Sequence, residues 1–174
     1  EDVAYRKKRA ERRIRDRERV FRKAVRVAAQ FFPGPDSQPR VWYAWKDAGG
    51  WHKTTVDSTG SVGSHTSLVV DSSDYPHISY YDASNTGLKH AWKDAGGWHV
   101  STVSNTGDSG FWSSIALYHD YPRISYSYND GANYHLRYAW KGDDGWHIET
   151  ADSSNEVGTY NSLAVNESDN TKMI

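Results

Sequence analysis

A nine-residue block recurs three times along the chain. Ala44-Trp45-Lys46-Asp47-Ala48-Gly49-Gly50-Trp51-His52 returns as Ala91-Trp92-Lys93-Asp94-Ala95-Gly96-Gly97-Trp98-His99. It returns again at 139–147, with Gly142-Asp143-Asp144-Gly145 at its centre. The first tryptophans of the blocks are Trp45, Trp92 and Trp140, so the period is 47 and then 48 residues. Other landmarks keep step with it. Gly63-Ser64-His65-Thr66-Ser67-Leu68 aligns with Gly110-Phe111-Trp112-Ser113-Ser114-Ile115 and with Gly158-Thr159-Tyr160-Asn161-Ser162-Leu163. Tyr75-Pro76-His77-Ile78-Ser79-Tyr80 aligns with Tyr121-Pro122-Arg123-Ile124-Ser125-Tyr126. A fixed period of this length is the signature of a repeat architecture.

Each period holds four short runs that read as strands. In the second they cover 67–71, 77–82, 88–93 and 98–103, and alternation is visible in Ile78 and Tyr80 and in Leu88, His90 and Trp92. Turn residues separate them: Ser72-Ser73-Asp74-Tyr75-Pro76, Ser84-Asn85-Thr86-Gly87 and Asp94-Ala95-Gly96-Gly97. Eight Trp and twelve Tyr in a chain of mean hydropathy −0.84 suit half-buried sheets better than an apolar helical core. Four strands in about 47 residues is the pattern of one β-propeller blade. The expected fold is all-β over 40–174, with about three blades.

The pattern Gly-x-aromatic-x-Ser-Leu, Pro-x-Ile-Ser-Tyr, Leu-x-x-Ala-Trp and Gly-Gly-Trp-x-x-x-Thr-Val resembles the repeats of microbial β-propeller proteins, which are related in style to sialidase-like propellers. The resemblance covers about 40–174. It implies the propeller fold and, by analogy alone, a surface or secreted protein. It does not imply an activity, because propellers host many. The Asp-box and the arginine cluster of sialidases have no counterpart here; the repeats hold only Arg40, Arg123 and Arg137, at different repeat positions.

If 67–71 is the innermost strand, the repeats begin at a third strand (41–46) and an outer strand (51–56). They finish on an inner strand (162–166) and the start of a second strand (172–174). Three blades are fewer than the four to eight of a closed ring, and open blade edges invite pairing. The expectation is a homodimer that closes a six-bladed ring through composite blades. Val41, Tyr43, Trp45, Leu163, Val165 and Met173 then lie at the interface, assisted by Phe21 and Phe31 of an N-terminal helix.

That helix is expected over 1–32, a segment free of Gly and Pro. Residues 33–39, with Pro33-Gly34-Pro35, read as a linker. Residues 1–29 carry twelve Lys/Arg against five Asp/Glu, whereas 30–174 carry nine against seventeen. Val3, Ala10, Ile14, Phe21, Ala24, Ala28 and Phe31 form a weak heptad seam. Three roles are open to this segment: a solvated helix docked on its own domain, an oligomerising helix, or a basic arm for nucleic acid or an anionic surface.

Candidate binding residues come from positions that vary between repeats. His65, Trp112 and Tyr160 are equivalent and precede the inner strand, where loops ring the mouth of a propeller channel. The loops after the second strand bring Tyr81 and Asp82, and Tyr128 and Asp130, to the same face. Aromatic planes beside carboxylates and amides suit a carbohydrate. The alternative is that these residues wedge the blades together. The repeated tryptophans are expected to pack between blades or across hairpins. The histidines lack metal-ligand spacing, no nucleophile elbow or phosphate loop occurs, and no pair of carboxylates stands out. No enzyme, metal or cofactor is expected. Absence of Cys excludes disulfides, and no apolar stretch approaches the roughly 20 residues of a membrane-spanning helix.

Overall fold

A computed structural model describes residues 26–33, 39–154 and 156–166 of the chain. The described residues are all-β, without a helix, and form three antiparallel sheets. The first contains β1 (Arg26–Pro33), β2 (Pro39–Asp47) and β3 (Gly50–Asp57), in the order β1-β2-β3. The second contains β4 (Val62–Val70), β5 (Pro76–Asp82), β6 (Gly87–Asp94) and β7 (Gly97–Ser104), paired in sequence order. The third repeats this with β8 (Asp108–Tyr118), β9 (Tyr121–Asn129), β10 (Tyr134–Gly142) and β11 (Gly145–Asp152). Every strand predicted between 41 and 103 has its counterpart; β4 starts five residues earlier than expected and ends one residue sooner, and the others run up to two residues longer at an end.

Two differences from expectation stand out. Residues 26–32, expected to be helical, belong to strand β1, which pairs with β2 from Arg26↔Trp45 to Pro33↔Pro39. Val27, Phe31 and Phe32 suit a strand, and the open edge of β2 supplies a hydrogen-bonding partner that outweighs local helix propensity. The expected linker is correspondingly shorter: Pro33 closes β1 and Pro39 opens β2. The second difference is at 162–166, expected to be an inner strand, which carries no strand pairing among the described residues. The rest of the expected helix, with Phe21 and the basic clusters, lies outside the described residues, as do 172–174 and Met173.

The tight β2–β3, β6–β7 and β10–β11 hairpins place the repeated block at their ends. At each of the three block turns an Asp accepts from a histidine Nε2: Asp47 from His52 at 2.9 Å, Asp94 from His99 at 2.9 Å and Asp144 from His147 at 2.7 Å. The same histidines stack on Trp45, Trp92 and Trp140, each with centroids 5.2 Å apart. The first tryptophan of each pair therefore packs across its own hairpin. In the second and third pairs the second tryptophan reaches the neighbouring sheet: Trp98 meets Tyr43 edge-on at 5.4 Å, and Trp146 meets His90 edge-on at 5.4 Å.

Two hydrophobic cores fill the spaces between consecutive sheets. Val41, Tyr43, Val62, Ile78, Tyr80 and Ala91 lie between the first and second. Leu88, Val103, Ile115, Ile124, Tyr126 and Ala139 lie between the second and third. The cores use matching repeat positions, such as Val41 with Leu88, Ile78 with Ile124, Tyr80 with Tyr126 and Ala91 with Ala139. This corrects the assignment of Val41, Tyr43 and Trp45 to an interface between chains. Val41 is fully buried inside the chain, and Tyr43 and Trp45 belong to the same core, because the first sheet lays its face on the second.

Candidate functional site

The first strands of the second and third sheets, β4 and β8, each carry an irregularity at the same repeat position. The register of β4 on β5 shifts between Ser64 and Ser67, and that of β8 on β9 shifts between Phe111 and Ser114. Inside each shift one aromatic residue adopts the left-handed conformation, His65 at φ 53° and Trp112 at φ 50°. Tyr160, their counterpart, does the same at φ 52°. A left-handed non-glycine residue costs roughly 1–2 kcal/mol, and a bulge re-aims the side chain it carries. The same cost is met at the same position in all three repeats.

The preceding glycine explains how the inner strand gets so close to its neighbour. A Cβ on Gly110 would stand 3.0 Å from Leu88 Cα, and one on Gly63 would stand 2.9 Å from the Arg40 carbonyl oxygen. Each glycine backs onto an interior strand of the previous sheet, β2 or β6, and only a residue without a side chain leaves room.

Hydrogen bonds then hold each inner segment to the one before it. Ser113 Oγ donates to the His65 carbonyl at 2.8 Å, and Asn161 Nδ2 donates to the Trp112 carbonyl at 2.8 Å. Two positions further on, Ile115 N donates to Ser67 Oγ at 3.2 Å and Leu163 N donates to Ser114 Oγ at 3.0 Å. The Ser113 proton is committed to His65, so Ser79 Oγ donates to Ser113 Oγ at 2.8 Å. Ser125 Oγ likewise donates to Asn161 Oδ1. The segment 161–166 thus sits beside β8 as β8 sits beside β4, although it is not itself a strand.

These constraints line up three rings, one per repeat. The centroids of His65 and Trp112 are 5.2 Å apart, and those of Trp112 and Tyr160 are 5.4 Å apart. Burial pushes the His65 imidazole below its ordinary value, so this ring is neutral at pH 7. Tyr81 joins edge-on to His65 at 6.4 Å and stacks on Phe111 at 4.5 Å. Tyr134 meets Trp112 edge-on at 6.1 Å. The Tyr81 hydroxyl donates to Asp108, and burial followed by that carboxylate pushes its pKa up. The file ends on Tyr160, which is 84% exposed.

Of the seven predicted ligand residues, His65, Trp112, Tyr160 and Tyr81 come together in this file. Asp82 does not join as a free acceptor. It is fully buried, and its carboxylate binds Lys89 Nζ at 2.9 Å and Asn85 Nδ2 at 2.9 Å. Asp130 organises its own turn, accepting from Ala132 N, Asn133 N and His135 Nε2, which holds its carboxyl well below the usual range. Tyr128 lies under the Arg137 guanidinium, 3.5 Å from its ring centroid. Phe111 is the member that sequence reading missed. Its equivalents are Ser64 and Thr159, so no repeated aromatic marks the position.

A tyrosine and an acid do meet elsewhere, where the Tyr80 hydroxyl donates to Asp57 Oδ2 at 2.7 Å. Both residues are buried, and burial pushes the Tyr80 hydroxyl far up, so it stays protonated and is a poor nucleophile. Burial opposes ionisation of Asp57, but hydrogen bonds from Thr59 and Tyr80 and the nearby Lys89 outweigh it and hold its carboxyl below the ordinary value. The pair ties the second sheet to the first. Among the described residues no group of three or more His, Cys, Asp or Glu side chains is placed to hold a metal ion, and no helix is long and apolar enough to cross a membrane. Compared with known proteins, the chain matches no family model and no curated protein.

Proposed function

We propose that the protein is a non-enzymatic scaffold of β-propeller blades that assembles with copies of itself, two chains closing a six-bladed ring. The observation that carries this reading is the repetition of one junction. The core and the glycine approach joining the first sheet to the second recur at matching positions between the second and the third, and the inner-strand hydrogen bonds between the second and the third recur between the third and residues 161–163. A junction built only from repeat positions works equally well between chains, so blade completion needs no specialised surface. The four-stranded meanders and the resemblance to microbial propeller repeats point the same way. The mass in solution tests it. Sedimentation equilibrium of the 174-residue chain at micromolar concentration is expected to give two copies; a folded monomer at that concentration would overturn the reading.

A second reading is favoured by the ring file. Three aromatic residues held in the left-handed conformation at one repeat position, beside Tyr81 and Tyr134, offer flat apolar faces with hydroxyls near them. That suits the stacking of a sugar ring with its hydroxyls satisfied at the edge. Binding to a glycan array that is lost on Trp112→Ala supports this reading. A blank array for the wild-type assembly counts against it.

A further inference from the structure

The junction seen twice inside the chain has two unmatched halves, one on each outer sheet. The first sheet has three strands where the others have four. β1 packs on β4 as β5 packs on β8, and β2 packs on β4 as β6 packs on β8. β1 is therefore the second strand of its sheet, and the place left open among the described residues is the innermost one. The segment 161–166 has the complementary character. It is latched to β8 as an inner strand is latched to its predecessor, yet it has no second strand to pair with among the described residues.

Exposure marks the same two halves. Ala91 and Ala139 are fully buried, whereas their counterpart Ala44, on the first sheet, is half-buried. Val41 and Leu88 are fully buried, whereas their counterpart Leu136, on the third sheet, is half-buried. Trp98 and Trp146 each rest on the preceding sheet, whereas Trp51 is 54% exposed. Lys141 lies 4.7 Å above Trp92 of the preceding sheet. Trp140, the counterpart of Trp92, lines an open cleft of about 440 Å³ with Tyr118, Arg123 and Lys141. Among the described residues the side chains of Thr66 and Ser162 make no hydrogen bond. Their repeat equivalents do: Ser113 and Asn161 for Thr66, Ser67 and Ser114 for Ser162.

From this we infer that residues 160–166 of one copy supply the innermost strand of the first sheet of the next, in a three-plus-one blade. The inference rests on the self-assembly reading above and fixes its register. The donated segment lies against β1. Thr66 Oγ1 donates to the Tyr160 carbonyl of the donor copy, and Leu68 N donates to the donor's Ser162 Oγ. Trp51 and Lys46 settle on Trp140 and its neighbours in the donor's third sheet. Tyr160 stacks on His65 of the receiving copy, so the ring file runs on through the joint. Any ligand seated on the file at that point touches both copies. The eleven strands of the described residues and one donated segment make twelve, enough for three four-stranded sheets per chain. The contact is head-to-tail, and it closes at two copies if each contributes half a turn.

The test compares variants at the joint by sedimentation velocity over a concentration series, with circular dichroism recording the fold. Wild type is expected to sediment as two copies. Thr66→Val and Ser162→Ala each remove one hydrogen bond that is made only between copies and are expected to weaken association about tenfold. Tyr160→Ala and Trp51→Ala remove buried aromatic anchors and are expected to weaken it about a hundredfold. Val100→Ala, at an exposed position on β7, leaves association unchanged. A wild-type dimer indifferent to all four joint variants would overturn the inference and leave self-association standing. A wild-type monomer would overturn both, and would mean that the open place on β1 is filled from the same chain. Masses rising beyond two copies, and lost in the same variants, would support the joint and overturn closure at six blades.

Discussion

Gly110 sits at φ +113° with Leu88 Cα in front of it, and both facts weigh against any side chain there. Gly110→Ala combines a forbidden backbone region with a steric clash, and is expected to destabilise the fold by roughly 2–3 kcal/mol in urea unfolding. Gly145, at φ +128° with open space around it, carries only the backbone part, so Gly145→Ala should cost less. The tyrosines at positions 80 and 126 make a second comparison. Tyr80 donates to the ionised Asp57, whereas the Tyr126 hydroxyl is buried with no geometrically formed hydrogen bond. Tyr80→Phe is expected to cost about 1.5–3 kcal/mol, the range for a bond to a charged group, while Tyr126→Phe is close to neutral. Equal losses in chemical denaturation would contradict the assignment.

Between β5 and β6 the second sheet holds a pair absent from its neighbours. His77 Nδ1 and His90 Nε2 are 3.1 Å apart, and His90 stacks on Trp92 with Trp146 at its edge. Burial pushes both imidazoles below their ordinary value; for His77 the carboxylates of Asp71 and Asp120 oppose it, and for both Lys141 adds to it. At these two positions the unfolded chain takes up protons from about pH 6.5 downward and the folded chain only at lower pH. Stability is therefore complete above that pH and falls as the solution is acidified through it. The melting temperature is expected to drop between pH 7 and pH 5. His90→Tyr, the residue type its counterparts Tyr43 and Tyr138 carry, should flatten that slope, and an already flat wild-type profile would refute the argument. Strand positions and hairpins were legible in the sequence because the repeat multiplies each turn signal and alternation three times. β1 was not, because Arg26, Ala28, Ala29 and Gln30 favour helix locally and only the free edge of β2 decides otherwise. The file of His65, Trp112 and Tyr160 was legible from repeat alignment alone. Its left-handed backbone and the role of Phe111 were not, since both depend on how closely β8 approaches β6. Asp82 misled for the opposite reason: an acid in a turn looks available until Lys89 is seen to occupy it.

At the scale of the molecule, stability divides into sheets and the junctions between them, each sheet touching only its neighbours. If copies complete one another, part of that stability is intermolecular. The melting temperature of the wild-type chain is then expected to rise with protein concentration, as mass action requires. The Trp51→Ala chain should melt at a temperature independent of concentration. Identical behaviour of the two chains would place all the stability within one copy. The clipped outer hairpins bear on time rather than on strength. Asp47 and His52 are five residues apart and Asp144 and His147 three, whereas the inner-strand bonds span 48 or 49 residues. A hairpin closes in about 1–10 μs, and closing a longer loop has a greater entropic cost. The β2–β3, β6–β7 and β10–β11 hairpins therefore zip first, and the file of His65, Trp112 and Tyr160 is the last of the described contacts to come into register.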